Sequence, residues 1–343
     1  MSRTLTRDDL RRIMAILAEA AQVEILPRFR NLPVQAVRGK SSPRDLVTDA
    51  DEGAERMISA RLAKLFPGAV LIGEEATTRN PALLNMLVDA DLAFLIDPID
   101  GTRNYVAGLP LFGMMVAACH KGDVMAGIIY DPINRDAAMA LRGEGAWFEH
   151  ENGSQEIMKV AQPVPPEDMD GFIATGSLPE PLRHKVNGNV AQLASMAYLR
   201  CAAHEYRMAA SGHVHLLFYN KLMPWDHAAG WLLHREAGGY SAHFDGSPYK
   251  PTHRSGGLLY APDAGSWHAA HRLLFGSDEP LLDHPPPRRR RELERGQHLV
   301  ARLADLEHQQ IVGPGAAQID GGHGLALAGR GLHIAEAGMH HQG

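Results

Sequence analysis

The chain has 343 residues, of which 45% are hydrophobic, 6% aromatic and 22% charged, too apolar for a disordered chain and too mixed for a fibrous one. Its 34 basic and 40 acidic residues leave a formal charge of −6, so no global basic field attracts nucleic acid. Only two cysteines occur, no apolar run approaches the roughly 18 residues of a membrane span, and the first residues lack a signal-like apolar run; a soluble cytoplasmic protein is expected.

Thr6 and the acidic pair after it form a capped helix start, and Leu10, Ile13, Met14, Leu17, Ala20 and Ala21 recur at helical spacing up to Pro27. A second helix is expected over 49–66, with Ala54, Met57, Ile58, Leu62 and Leu65 on one face. Short apolar strands at 70–72 and 92–96 stop at Gly73 and Asp97. Segments 112–119 and 124–130 flank the Lys121-Gly122-Asp123 turn as a hairpin, which 137–141 and 146–148 continue. Further on, helices over 186–193, 205–212 and 226–237 alternate with strands over 172–175, 216–219 and 257–260. Mixed strands separated by helices imply an α/β (α+β) fold of layered sheets and helices.

Composition changes after Gly276. None of the 21 aromatic residues lies in 277–343, which instead holds Pro285-Pro286-Pro287, Arg288 to Arg291 and 7 of the 19 histidines. Such a segment cannot offset the entropy of ordering, so a folded domain over 1–276 and a disordered tail over 277–343 are expected, apart from a short helix around 291–307. With 7 basic and 9 acidic residues the tail reads as solvated chain.

The informative segment is Phe94-Leu95-Ile96-Asp97-Pro98-Ile99-Asp100-Gly101-Thr102-Arg103-Asn104-Tyr105. A buried strand ends in two aspartates with a proline between them. Pro98 fixes its own φ and donates no hydrogen bond, which frees the Ile99 carbonyl from the ladder. Asp97, Asp100 and that carbonyl then converge as hard oxygen ligands suited to Mg²⁺. Gly101-Thr102 opens a short helix whose free N–H groups favour an anion. Glu74 and Glu75 follow another strand, and Asp226 starts a third element. Each alone reads as a turn or an N-cap. Four carboxylates at three element ends on an acidic chain call for cations, as in a multi-metal phosphoryl-transfer or hydrolysis site.

Asp97-Pro98-Ile99-Asp100-Gly101-Thr102-Arg103-Asn104 resembles the first signature of the inositol monophosphatase family, and Trp225-Asp226-His227-Ala228-Ala229-Gly230 with Glu236-Ala237-Gly238-Gly239 resembles its second. Segments 40–51 and Gly73-Glu74-Glu75 also match, in the family's order, and the likeness runs from about residue 8 to 276. The resemblance implies a layered α-β-α-β-α sandwich, fructose-1,6-bisphosphatase/inositol monophosphatase-like, in a Mg²⁺-dependent, lithium-sensitive phosphatase that forms a homodimer. By motif position, Glu74, Asp97 and the Ile99 carbonyl would hold the first Mg²⁺. Asp97, Asp100 and Asp226 would hold the second, and a third, weaker ion would lean on Glu74. Thr102, backed by Asp51, would help Glu74 place the attacking water. Gly101, Thr102, Asp226 and Ala202 would contact the substrate. Lys40 matches a lysine near the family's mobile loop, Glu75 would act behind the ligands or as a hinge, and His227 would pack or touch substrate rather than bind metal.

The departures lie where substrate is read. Tyr219 or Asn220 stands where many members carry a sugar-binding glutamate, and Arg200, His204 and Lys221 add cationic or donor groups in the same two segments. The expected activity is hydrolysis of a small phosphorylated metabolite, inositol-1-phosphate first. Histidinol phosphate, fructose-1,6-bisphosphate or a 3′(2′),5′-bisphosphate nucleotide are alternatives, and a catalytically silent binding or regulatory protein is the alternative of another class. Neither nucleic acid nor membrane is expected as a partner.

Overall fold

A computed structural model of the chain describes residues 5–40 and 45–276. Helix α1 (Arg7–Ala20) begins in a capping box, with the Thr6 side chain accepting from the Asp9 N–H and the Asp9 carboxylate accepting from the Thr6 N–H. It runs into a π-turn at Ala21–Ile25 and a 3₁₀ turn at Leu26–Arg28, where Pro27 ends the segment. Two short antiparallel strands, β1 (Val37–Gly39) and β2 (Leu46–Thr48), lead into α2 (Asp49–Leu65), capped the same way by Thr48 and Asp51.

A seven-stranded sheet follows. It contains β3 (Val70–Gly73), β4 (Ala93–Asp100), β5 (Gly113–His120), β6 (Asp123–Asp131), β7 (Asp136–Leu141), β8 (Gly145–His150) and β9 (Gln155–Ile157), in that spatial order. Only the β3–β4 pair is parallel. The short helices α3 (Glu74–Arg79) and α4 (Thr102–Val106) leave the ends of β3 and β4. The expected β5–β6 hairpin forms, with Lys121 and Gly122 both at positive φ, as a tight two-residue turn requires.

The second half builds β10 (Asp170–Ile173), α5 (Leu182–Val190), β11 (Ser195–Ala197), α6 (Ala202–Ala210), β12 (Leu216–Tyr219), α7 (Pro224–Glu236), β13 (Tyr240–Ala242), β14 (Leu258–Ala261) and α8 (Ala264–Phe275). Its five strands pair in the order β11-β10-β12-β14-β13.

Side-chain alternation sorts these elements into layers. On β4, Phe94 and Ile96 pack with α1 and α2, whereas Ala93 and Leu95 face the opposite cluster with α6 and α7. Leu217 and Tyr219 of β12 join that same central cluster, while Leu216 and Phe218 turn to α5 and α8. The sequence of layers is therefore α1/α2, seven strands, α6/α7, five strands, α5/α8, the expected α-β-α-β-α sandwich. Strands covered on both faces carry near-continuous apolar runs, which is why they stand out in the sequence.

Several boundaries differ from expectation. The β4 ladder continues past Asp97 to Asp100, with a register break between the two that absorbs Pro98. Helices α5, α6 and α7 each begin earlier than their apolar periodicity suggests. The short strands β1, β2, β9, β11 and β13, and α8, carry too few patterned residues to be seen locally. The expected tail at 277–343 lies outside the described residues.

Candidate active site

Gly73 of β3 pairs with Ile96 of β4, so the next residue along each parallel strand, Glu74 and Asp97, emerges side by side. Asp226 arrives from the first turn of α7, behind Pro224 at the helix start, where an acid also suits the helix dipole. One carboxylate oxygen from each of Glu74, Asp97 and Asp226 lies within 4.8 Å of the others. The register break turns the chain at Pro98. Asp97 Oδ1 accepts from the Ile99 N–H at 3.1 Å, and the Ile99 carbonyl lies 2.9 Å from the Thr102 hydroxyl. Gly101 takes φ +89°, and a Cβ there would sit 2.8 Å from the Leu111 carbonyl oxygen, so only glycine makes this turn without strain.

Glu74, Asp97, Ile99, Asp100, Gly101, Thr102, Ala202 and Asp226 all line one cavity of about 420 Å³. Asp100 joins that wall with one oxygen committed: its Oδ2 accepts from the Ala203 N–H at 2.5 Å. Asp51 stands behind Thr102, with Oδ1 3.2 Å from the Thr102 hydroxyl and Oδ2 accepting from the Thr48 N–H and hydroxyl. Thr102 has one hydroxyl proton, so it serves the Ile99 carbonyl or Asp51 at any moment.

Burial and mutual repulsion raise the proton affinity of these acids. Asp97 rises well above the usual carboxylate range through burial first, then through the charges of Glu74, Asp100 and Asp226. Burial and Asp226 push Asp100 up to about 8. Burial also lifts Glu74 to about 7, although Lys40 pulls the other way, and lifts Asp51 to about 6. The Lys40 ammonium, almost enclosed, donates to both Glu74 and Glu75. One lysine does not neutralise this set. The group that converges, Glu74, Asp97 and Asp226, offers carboxylate oxygens alone, the donor chemistry of a hard divalent cation such as Mg²⁺.

The wall opposite is arranged differently from the motif-based picture. Tyr219 and Glu205 both line the cavity, and the Tyr219 hydroxyl donates to Glu205 Oε2 at 2.8 Å. Glu205, fully buried, was not singled out by its motif, although an acid in the apolar start of α6 is the kind of conflict that signals a role. Asn220, on the cavity wall, donates to the Ser177 carbonyl, whereas His204 Nε2 contacts the Phe112 carbonyl at 3.1 Å and is not part of the lining. Arg200 and Lys221 line the cavity as well. His227 is buried, as a packing role requires. Its Nε2 faces the Lys221 carbonyl, which only accepts, so Nε2 carries the proton and Nδ1 accepts from Tyr206, which in turn accepts from Tyr260.

A layered sandwich with acids gathered at the ends of two parallel strands and a helix start is the architecture of a metal-dependent phosphatase superfamily. Residues 7–275 match the model of the inositol monophosphatase family, and the chain belongs to that family. It is a family of Mg²⁺-dependent phosphatases, and the acidic cluster fits that requirement. A protein named Nus factor SuhB from Pasteurella multocida is 32% identical over 212 residues, 60% of this chain and 74% of that protein. A fructose-1,6-bisphosphatase/inositol-1-monophosphatase from Thermotoga maritima is 31% identical over 213 residues, 62% of this chain and 77% of that protein. The crystal structure of extragenic suppressor protein suhB from Bartonella henselae superposes with a TM-score of 0.66 at 26% identity, covering 77% of this chain and 98% of that one.

Proposed function

We propose that this chain is a Mg²⁺-dependent phosphomonoesterase that hydrolyses a small phosphorylated metabolite by attack of water. The observation that carries the reading is the meeting of Glu74, Asp97 and Asp226 oxygens within 4.8 Å, with Asp100 on the same cavity wall. Glu74, Asp97 and the Ile99 carbonyl would hold one ion, Asp97, Asp100 and Asp226 would hold a second, and Glu74 would serve a third. When bound there, Mg²⁺ would lower the pKa of a coordinated water and offset charge on the leaving oxygen. Thr102 Oγ1 and Glu74 orient the attacking water, and Asp51 fixes the Thr102 hydroxyl from behind. The N–H groups of Gly101 and Thr102 face the phosphate, with Ala202 and Asp226 beside the rest of the substrate. Inositol-1-phosphate is a usable substrate in this reading, alongside other phosphorylated polyols and amino alcohols. Two buried free thiols suit a reducing cytoplasm, and family resemblance supports a homodimer.

A second reading, a binding role without catalysis, is favoured by the name Nus factor carried by several relatives. The retained Glu74, Asp97, Asp100, Asp226 and Thr102 favour catalysis. Phosphate release from inositol-1-phosphate, histidinol phosphate, fructose-1,6-bisphosphate and adenosine 3′,5′-bisphosphate tests it. Release is expected with Mg²⁺, is lost to chelator and is inhibited by lithium. No release from any compound sinks the catalytic reading and leaves the binding one.

A further inference from the structure

The turn between β11 and α6 is clamped from every side. Leu199 donates its N–H to Glu205 Oε1 at 2.9 Å, and its carbonyl accepts from Asn104 Nδ2 at 2.8 Å, so both backbone polar atoms of one residue are held by buried side chains. On the other side, Cys201 Sγ lies 3.5 Å from the Asp100 carbonyl and the Ala203 N–H reaches the Asp100 carboxylate. Between the clamps sits Arg200 at φ +58°, a left-handed conformation that a bulky residue adopts only when its surroundings impose it. The clamp depends on Tyr219. Its hydroxyl donates to Glu205 Oε2 while Oε1 accepts from the Leu199 N–H, so both carboxylate oxygens carry a hydrogen bond that fixes the Glu205 side chain against the turn.

Arg200 lines the cavity, is half-buried, and makes no ion pair with a carboxylate among the described residues. Two other cations line the same cavity. Arg103 projects from the exposed face of α4, and Lys221 lies exposed in the segment between β12 and α7. Arg200 is the one held in place by a backbone lock. Its planar guanidinium matches the two oxygens of a carboxylate or phosphate.

We infer that Arg200 is a specificity-determining residue that binds a second anionic group on the phosphate ester, and that Tyr219 and Glu205 are positioning residues that hold its turn. The inference rests on the phosphatase reading and deepens it. The preferred substrate carries a carboxylate or second phosphate a few bonds from the scissile phosphate, and the uncharged polyol ester is the poorer member of any matched pair.

Two probes share one carbon skeleton and differ in a single group: 2-phosphoglycerate carries a carboxylate where glycerol-2-phosphate carries a hydroxymethyl. With Mg²⁺, the full chain is expected to turn over 2-phosphoglycerate at the lower KM. In Arg200→Gln the KM ratio of the two probes is expected to move roughly tenfold against 2-phosphoglycerate, the effect of one lost charge-assisted contact, with the kcat ratio held. Arg200→Lys restores part of that ratio. Tyr219→Phe, which keeps the ring and removes the hydroxyl, is expected to move the KM ratio the same way by about threefold. Equal responses of both probes to Arg200→Gln overturn the inference while the phosphatase reading stands. A ratio that follows Arg103→Gln instead overturns it in favour of Arg103. Absence of Mg²⁺-dependent release from every phosphate ester overturns the phosphatase reading and this inference together.

Discussion

Lys40 Nζ stands 2.7 Å from Glu74 Oε1, so a positive charge of the chain itself flanks the acid cluster. The same ammonium reaches Glu75 Oε1 at 2.5 Å, and with Glu75 buried the contact is a three-membered buried ion group. Breaking such a group by removing one partner leaves uncompensated buried charge, at a cost of about 3 kcal/mol. Lys40→Gln is therefore expected to lower the Tm by several degrees in chelator, with Mg²⁺ recovering most of the loss. Calorimetry with and without Mg²⁺ checks this; an unchanged Tm in chelator would show that the lysine is not neutralising the pair.

Stability should also depend on pH in a sense set by these acids. Glu74 and Glu75 are pushed up to about 7 by burial, Asp100 to about 8 and Asp226 to about 6. Each binds its proton more tightly folded than unfolded. Their contribution is full below the ordinary carboxylate range near pH 4 and is lost as pH rises through about 6 to 8. Mg²⁺ competes with those protons. The rise in Tm on adding Mg²⁺ is expected to be small at pH 5.5 and several-fold larger at pH 8. Equal rises at both values would contradict the cluster as the binding site.

Asp97 belongs to both proposed ion sites and is buried among like charges. Asp97→Asn is expected to reduce turnover by at least about 100-fold, the upper end of the effect of losing even an indirect partner of a metal. Removing one of several repelling charges should at the same time leave the chelated Tm equal or higher. A lost activity accompanied by a collapsed Tm would make Asp97 a structural residue instead.

The sequence carried the layers well and the site's inner wall poorly, for one physical reason. Both faces of β4, β5 and β6 are covered, so their apolar runs are continuous, and the caps of α1 and α2 lie within three residues of the helices they start. The acid cluster is legible because its members sit at element ends, where local turn chemistry marks them. Glu205 with Tyr219 and Asn104 with Leu199 are contacts between elements whose meeting no local pattern encodes. Hence the sequence shows the tyrosine that stands where many members carry a sugar-binding glutamate, but not that its hydroxyl turns toward Glu205. The strand expected to stop at Asp97 continued because a register break, not chain termination, accommodates Pro98.

Two glycines separate close packing from mere chain flexibility. Gly127 lies on β6 where α7 crosses, and an added Cβ would fall 2.6 Å from the Ala229 carbonyl oxygen and 3.0 Å from Ala229 Cα. Those atoms are backbone and cannot swing aside, so α7 must shift, and α7 carries Asp226 at its first turn. Gly127→Ala is expected to destabilise the fold by about 1–3 kcal/mol, the usual cost of overpacking, and to raise the Mg²⁺ midpoint of activity by displacing one carboxylate. Gly188 is the contrast: it sits on the exposed side of α5 with nothing within 4 Å of an added Cβ. Gly188→Ala should stabilise by about 0.5–1 kcal/mol, because alanine loses less backbone entropy in a helix. Denaturant titration of the two variants, with Mg²⁺ titrations of activity, reads both effects. If Gly127→Ala leaves stability and the Mg²⁺ midpoint unchanged, the close approach of α7 to the sheet does not set the position of Asp226.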